Sequence, residues 1–200
     1  MKIVKNKTKL KRATQPCESV EEGNKIAEKL IEVLDEIGGY GLAANQIGIN
    51  KSVCVVRCRE DFEDKILINP AIIEASDDRA LYMEGCLSLP GKTTKTIRHK
   101  TVKVSCDNWE NEIEFGPDGD LEEKTYWEDR GLLECVCVQH EIGHLNGELM
   151  TDPQFRYRKP IKPSIKHGRN EKVMIEKDGE SKFVKFKHAE PLLADGWNII

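Results

Sequence analysis

Aromatic residues are scarce, 6% of the 200 residues, so a core must rest on Ile, Leu and Val. Long apolar runs are missing. None approaches the roughly 18 residues of a membrane-spanning helix, which argues against a helical membrane protein. No apolar stretch follows the basic start MKIVKNKTKLKR, so no secretory leader is read there and a cytoplasmic location is expected. The seven cysteines are an odd number, which fits reduced thiols better than a disulfide framework. Cys54, Cys135 and Cys137 lie in Val-rich runs and are expected to pack as small apolar groups. Cys135 and Cys137, two apart on a helix, point to different faces and make a poor redox pair. Internal repeats are absent as well.

What is present is the balance of a soluble globular chain, with 38% hydrophobic and 33% charged residues. Its length suffices for one domain with a sizeable core plus extensions. The net charge of −4 is unevenly spread. Residues 1–12 carry six Lys or Arg and no acid, residues 107–134 hold eleven acids against two bases, and residues 156–187 hold eleven bases against four acids. Basic ends can approach a polyanion such as ribosomal RNA. No aromatic stacking pattern or nucleic-acid motif accompanies them, so solvated faces and loops are the preferred reading of the charge, and neither DNA nor a membrane is expected as a partner.

Ser19-Val20-Glu21-Glu22 has the Ser-x-x-Glu form of a capping box. Ile26, Leu30, Val33, Leu34 and Ile37 follow at helical spacing, and Gly38-Gly39 supplies a stop. Strands are expected over Ser52–Arg57, Lys65–Ile68, Ala71–Glu74 and Thr101–Ser105, parted by Asn69-Pro70 and Asp77-Asp78. Gly116-Pro117-Asp118-Gly119-Asp120 reads as a turn within an acidic excursion over Phe115–Arg130. A second helix is expected from Gly131 through Leu133, Val136, His140 and His144 to Asn146-Gly147.

Beyond Thr151, Pro153, Pro160 and Pro163 break any helix. Lys172–Lys177 and Lys182–Lys187 alternate around Asp178-Gly179 as a β-hairpin would, and Leu192, Leu193, Trp197 and Ile199 can dock an apolar end. The reading is therefore α+β. It has a main body over 1–150, a basic Pro-containing linker over 151–170 and a hairpin extension over 171–200.

The chemistry concentrates in His140-Glu141-Ile142-Gly143-His144. At four-residue spacing both imidazoles leave one helix face a turn apart and can chelate one metal ion. Glu141 sits where its carboxylate can reach an activated water as general base. Such a site needs a third ligand, and His167 and His188 stand at no recognisable metalloprotease spacing. Upstream, Met83-Glu84-Gly85-Cys86-Leu87-Ser88-Leu89-Pro90 offers the Cys86 thiolate, although a cysteine alone is more often a core residue. A third cluster, Gly38-Gly39-Tyr40-Gly41-Leu42-Ala43-Ala44-Asn45-Gln46-Ile47-Gly48, lacks the strand-to-helix setting of a phosphate loop. Its glycines let a backbone approach a ligand, and Gln46 brings an amide donor suited to an oxyanion.

Together and in this order the three clusters resemble the motifs of peptide deformylases: Gly39–Gln46, Glu84–Ser88 and Gln139–His144. The resemblance covers residues 9 to 150 and implies antiparallel sheets packed around a central metal-binding helix. It implies that Cys86, His140 and His144 hold one divalent metal, Fe²⁺ in many members, replaceable by Zn²⁺, Ni²⁺ or Co²⁺. A metal-bound water would attack the formyl carbon of an N-formylmethionyl peptide, a nascent chain. Glu141 would shuttle the proton, and Gln46 with the Leu87 N–H would bind the oxyanion. Gly39, Tyr40, Gly41, Glu84 and Gly85 would line the substrate path.

Three departures stand out. Gly143 replaces an Asp usual in the family, so a carboxylate supporting the ligands is expected to be missing and Arg98 to lack an acidic partner. Thr93 stands where many bacterial members carry a substrate-contacting Arg. The basic extension after the metal helix replaces the further helix of many bacterial members, and altered termini are more similar to phage-encoded deformylases acting in infected bacteria. Two other readings compete: an HExxH zinc endopeptidase, which has no need of Cys86, and a ribosome- or RNA-binding protein with a vestigial site, which would turn over nothing.

Overall fold

The computed structural model describes residues 2–58, 64–118, 129–158 and 168–199. The chain divides into two compact units, Met1–Tyr157 and Arg158–Ile200. In the first, a short helix α1 (Lys7–Leu10) precedes α2 (Val20–Ile37). Ser19 caps α2 by accepting the Glu22 N–H at 3.1 Å. The Glu22 carboxylate accepts from the Glu18 N–H at 2.8 Å, so the reciprocal half of the capping box falls one residue earlier than expected. Gly38, at φ +75°, ends the helix with its N–H on the Leu34 carbonyl.

Strands β1 (Gly41–Ala43), β2 (Val53–Val56) and β3 (Lys65–Ile68) form an antiparallel sheet with β2 in the centre. Val53 and Val55 face a cluster with Ile26, Leu30, Val33 and Leu34 of α2. Cys54 and Val56, on the other face, join a second cluster with Leu132, Val136 and Ile142. Burial on both faces explains why β2 reads as an unbroken apolar run rather than an alternation. Each such side chain contributes about 1.5–3 kcal/mol of burial.

The second cluster is organised by α3 (Arg130–Leu145), within which every residue from Gly131 to Leu145 is buried. A helix enclosed on all sides carries no polar stripe. Asp129 caps it, accepting the Leu132 N–H at 2.8 Å. Strands β4 (Ala71–Ala75), β7 (Val102–Ser105) and β8 (Ile113–Phe115) make another antiparallel sheet in the order β4-β7-β8. β5 (Arg79–Gly85) pairs with β6 (Thr93–His99), setting Glu84 opposite Thr94 and Ala80 opposite Arg98. The acidic excursion falls mainly outside the described residues, as does the middle of the proline-containing link, 159–167.

In the second unit, β9 (Lys172–Lys177) and β10 (Glu180–Lys185) form the hairpin, and β11 (Asn198–Ile199) adds to the other edge of β9. The expected second strand starts two residues late. Asp178 at φ +53° and Gly179 at φ +84° make a two-residue turn, so pairing resumes at once with Lys177 opposite Glu180. Val173, Ile175 and Ala189 form its small core, against which Leu192, Trp197 and Ile199 pack. Among the described residues no helix is long and apolar enough to cross a membrane.

Candidate active site

One end of β5 and one face of α3 bring Cys86, His140 and His144 together, with a ligand atom of each within 4.8 Å of the others. Cys86 Sγ lies 3.2 Å from His144 Nε2, and the two imidazoles meet edge to face at 4.9 Å between centroids. A thiolate and two imidazoles converging on one point suit a transition-metal ion of the Fe²⁺ or Zn²⁺ kind. The site opens on a cleft of about 640 Å³ whose walls include Gly39–Gly41, Glu84–Leu87, Cys137, His140 and Glu141.

Glu84 organises the layer behind the ligands. Its Oε1 accepts from Arg98 Nε at 2.7 Å and Thr96 Oγ1 at 2.5 Å. Its Oε2 accepts from Arg98 Nη2 at 3.0 Å and pairs with His140 Nδ1 at 2.6 Å. Glu84, Thr96 and Arg98 are all buried on one face of the β5–β6 ribbon, where diagonal neighbours lie within reach. Two sequence expectations are corrected here. Arg98 does have an acidic partner, Glu84, which also meets His140, whereas His144 Nδ1 is buried with no hydrogen-bond partner among the described residues. Glu84, which the resemblance placed along the substrate path, lines the cleft but turns its carboxylate inward, onto His140 and Arg98.

Electrostatics follow from this packing. Burial pushes the Glu84 carboxyl up, but bonds from His140 and Arg98 outweigh it and hold the group well below the usual carboxylate range. Burial lowers His140, yet hydrogen bonds to Cys86 and Glu84 outweigh it and raise the imidazole to about 10. The Nδ1 proton faces Glu84, so a metal ion entering the site would take the place of the proton on Nε2. His144 moves the other way: burial, then the charges of His140 and Arg98, take it well below its ordinary value. It is therefore neutral, the ligating form.

Glu141 is enclosed on α3, with Oε2 buried and no hydrogen-bond partner among the described residues. Burial is the main cause that raises its carboxyl to about 7, a value fit for taking and returning a proton near neutrality. Gln46 is held by the Ala43 N–H, which donates to Oε1 at 2.8 Å. That bond turns Nε2 toward Ser88 Oγ at 3.3 Å and Cys86 Sγ at 3.7 Å. Leu87 follows Cys86, and its N–H has no partner among the described residues. Asn45 Nδ2 donates to the His144 carbonyl at 2.5 Å, tying this loop to the end of α3.

Gly39, Tyr40, Gly41 and Gly85 all line the cleft. Gly41 is required sterically, since a Cβ there would fall 2.7 Å from Cys137 Sγ and 2.8 Å from Glu141 Oε1. Sequence reasoning missed Thr96, Ser88 as a partner of Gln46, and Cys137 as part of the cleft wall. Cys137 is buried as expected, with its thiol donating to the Tyr40 carbonyl at 3.3 Å. The Thr94-x-Thr96-x-Arg98 alternation was the available signal for an inward polar face.

The family of polypeptide deformylases matches residues 1–159. A peptide deformylase of Phenylobacterium zucineum is 36% identical over 166 residues, covering 80% of this chain and 91% of the relative. Among solved structures, peptide deformylase from Thermotoga maritima superposes with a TM-score of 0.62 at 28% identity, covering 74% of this chain and 93% of that one. A probable peptide deformylase from synechococcus phage S-SSM7 gives 0.60 at 31% identity, covering 74% and 95%.

Proposed function

The chain belongs to the peptide deformylase family, and we propose how its own residues perform that family's hydrolysis, the removal of the N-formyl group from nascent peptides. The substrate is an N-formylmethionyl chain met in the cytoplasm, and the products are formate and a free amino terminus. Supporting this reading above all is the convergence of Cys86, His140 and His144 beside the buried, partnerless oxygen of Glu141 on one cleft.

Cys86, His140 and His144 would hold one divalent ion, Fe²⁺ natively, with Zn²⁺, Ni²⁺ or Co²⁺ as substitutes. Bound there, it would supply Lewis-acid polarisation and make water acidic enough to attack an amide near neutral pH. Glu141 takes the proton of the attacking water at its carboxylate and returns it to the departing amine. Gln46 Nε2, 3.7 Å from Cys86 Sγ, and the N–H of Leu87, the residue after Cys86, donate to the oxygen that gains charge. The backbone of Gly39–Gly41 and Gly85 pairs with the extended peptide, and the apolar wall at Cys137 and Leu133 receives the methionine side chain. Glu84 and Arg98 position His140 without touching substrate.

The test pairs two variants. Glu141→Ala should retain the metal and lose formate release, and Cys86→Ala should lose the metal. An endopeptidase built on the same helix would keep its metal without Cys86, and that result would overturn the ligand assignment.

A further inference from the structure

A second depression, of about 700 Å³, continues from the cleft and shares Gly91, Lys92 and Thr93 with it. Its charge is one-sided. Lys7, Lys11, Lys92 and Arg156 line it against the single carboxylate of Asp152, four cations to one anion. Asp152 is already engaged, by Lys11 at 2.7 Å through Oδ1 and by the Leu149 N–H at 3.0 Å through Oδ2. Lys7, Lys92 and Arg156 are exposed and form no ion pair with any described residue. The remaining polar lining is hydroxyl, from Thr93, Thr94 and Thr151. Such a surface offers hydrogen-bond donors and positive potential and lacks any acceptor charge left to attract a cation.

We propose that this groove is an acidic-peptide subsite, which selects nascent chains carrying Asp or Glu a few residues downstream of the formylmethionine. The inference rests on the proposed deformylase reading. A peptide whose formyl end lies at Cys86 and His140 has its downstream residues free to leave the cleft past Lys92 and Thr93, where the cations begin. Continuity with the cleft favours a peptide over RNA, which would need a surface independent of the substrate path. Exposed pairs of this kind contribute about 1.5- to 5-fold each in affinity. Three unpaired cations together therefore amount to roughly tenfold at low salt.

The experiment compares kcat/KM for formyl-Met-Ala-Ser peptides, amidated at the carboxyl end, bearing Glu-Glu, Gln-Gln or Lys-Lys at the fourth and fifth positions. At roughly 50 mM salt the Glu-Glu peptide should exceed Gln-Gln by about tenfold, through KM rather than kcat, and Lys-Lys should fall below it. The difference should close near 0.5 M salt. In Lys92→Glu/Arg156→Glu the order should invert, with the Gln-Gln rate serving as the measure of folded, active enzyme. Equal rates for the three peptides would overturn the subsite while leaving deformylation standing. No turnover of any of them would strike the underlying function instead. A short RNA that binds the groove in a salt-dependent way, with no acidic-peptide advantage, would reassign the surface to a polyanion.

Discussion

Replacing Glu84 by Gln separates the two duties of that buried carboxylate. Glu84 accepts four hydrogen bonds, two from Arg98 and one each from Thr96 and His140. Gln keeps the shape and removes the charge, so the Arg98 guanidinium, only 3% exposed, is left without its counter-ion. Leaving one partner of a buried pair uncompensated costs about 3–5 kcal/mol, against a total stability of about 5–15 kcal/mol. Part of this is offset by Phe155, whose ring centroid lies 4.0 Å from the guanidinium carbon. The thermal midpoint should fall by roughly 6–20 °C at about 2–4 °C per kcal/mol. His140 also exchanges a carboxylate at Nδ1 for at best a neutral amide oxygen, so metal affinity should drop about 10- to 100-fold in chelator competition. The double variant Glu84→Gln/Arg98→Met removes the stranded charge. It should recover much of the stability and none of the metal affinity. A Glu84→Gln loss below about 1 kcal/mol would refute the stability argument, and recovered affinity in the double variant would refute the positioning role.

Three further outcomes follow from the same geometry. Gly143→Ala should raise stability by about 1 kcal/mol in urea denaturation, because the nearest atoms to a Cβ there are 3.8 Å away on Glu148; a loss would mean that the helix needs the glycine. Gly41→Ala must displace Cys137 or Glu141, and a misplacement of about 1 Å should lower kcat by roughly 100-fold. Burial pushes the Cys106 and Cys135 thiols from an ordinary 9.0 up to about 12. The folded state then holds protons that the unfolded chain releases, so this contribution is intact below pH 9 and is lost as pH rises toward 12. The slope is at most about 1.4 kcal/mol per pH unit for each thiol, less for the partly exposed Cys106. Urea midpoints measured upward from pH 9 should fall less steeply in Cys135→Ala than in the parent.

The two long helices were legible because each carried a local signal: the Ser19 cap with the Gly38 stop, and the paired histidines of α3. The triad was legible because its ligands sit in compact segments whose order resembles a family. β5 was hidden by Leu81 and Met83, apolar residues on its exposed side, which blur the alternation of Ala80, Tyr82 and Glu84 on the buried side. β1 was hidden by its length of three residues within a glycine-rich run. The Glu84–Arg98 pair depends on the β5–β6 register, which no local pattern states, so the acidic partner of Arg98 was not foreseen: the carboxylate behind His140 comes from a strand. The hairpin was legible from its alternation, but its register is set by the turn type, and Asp178-Gly179 admits only two residues between strands.

The most direct test is formate release from formyl-Met-Ala-Ser by protein prepared without oxygen and loaded separately with Fe²⁺, Ni²⁺ and Zn²⁺, beside Glu141→Ala carrying the same metal content. Formate should appear in step with free amino termini, and should vanish in the variant. A parent enzyme with bound metal that releases no formate from this peptide would contradict the account.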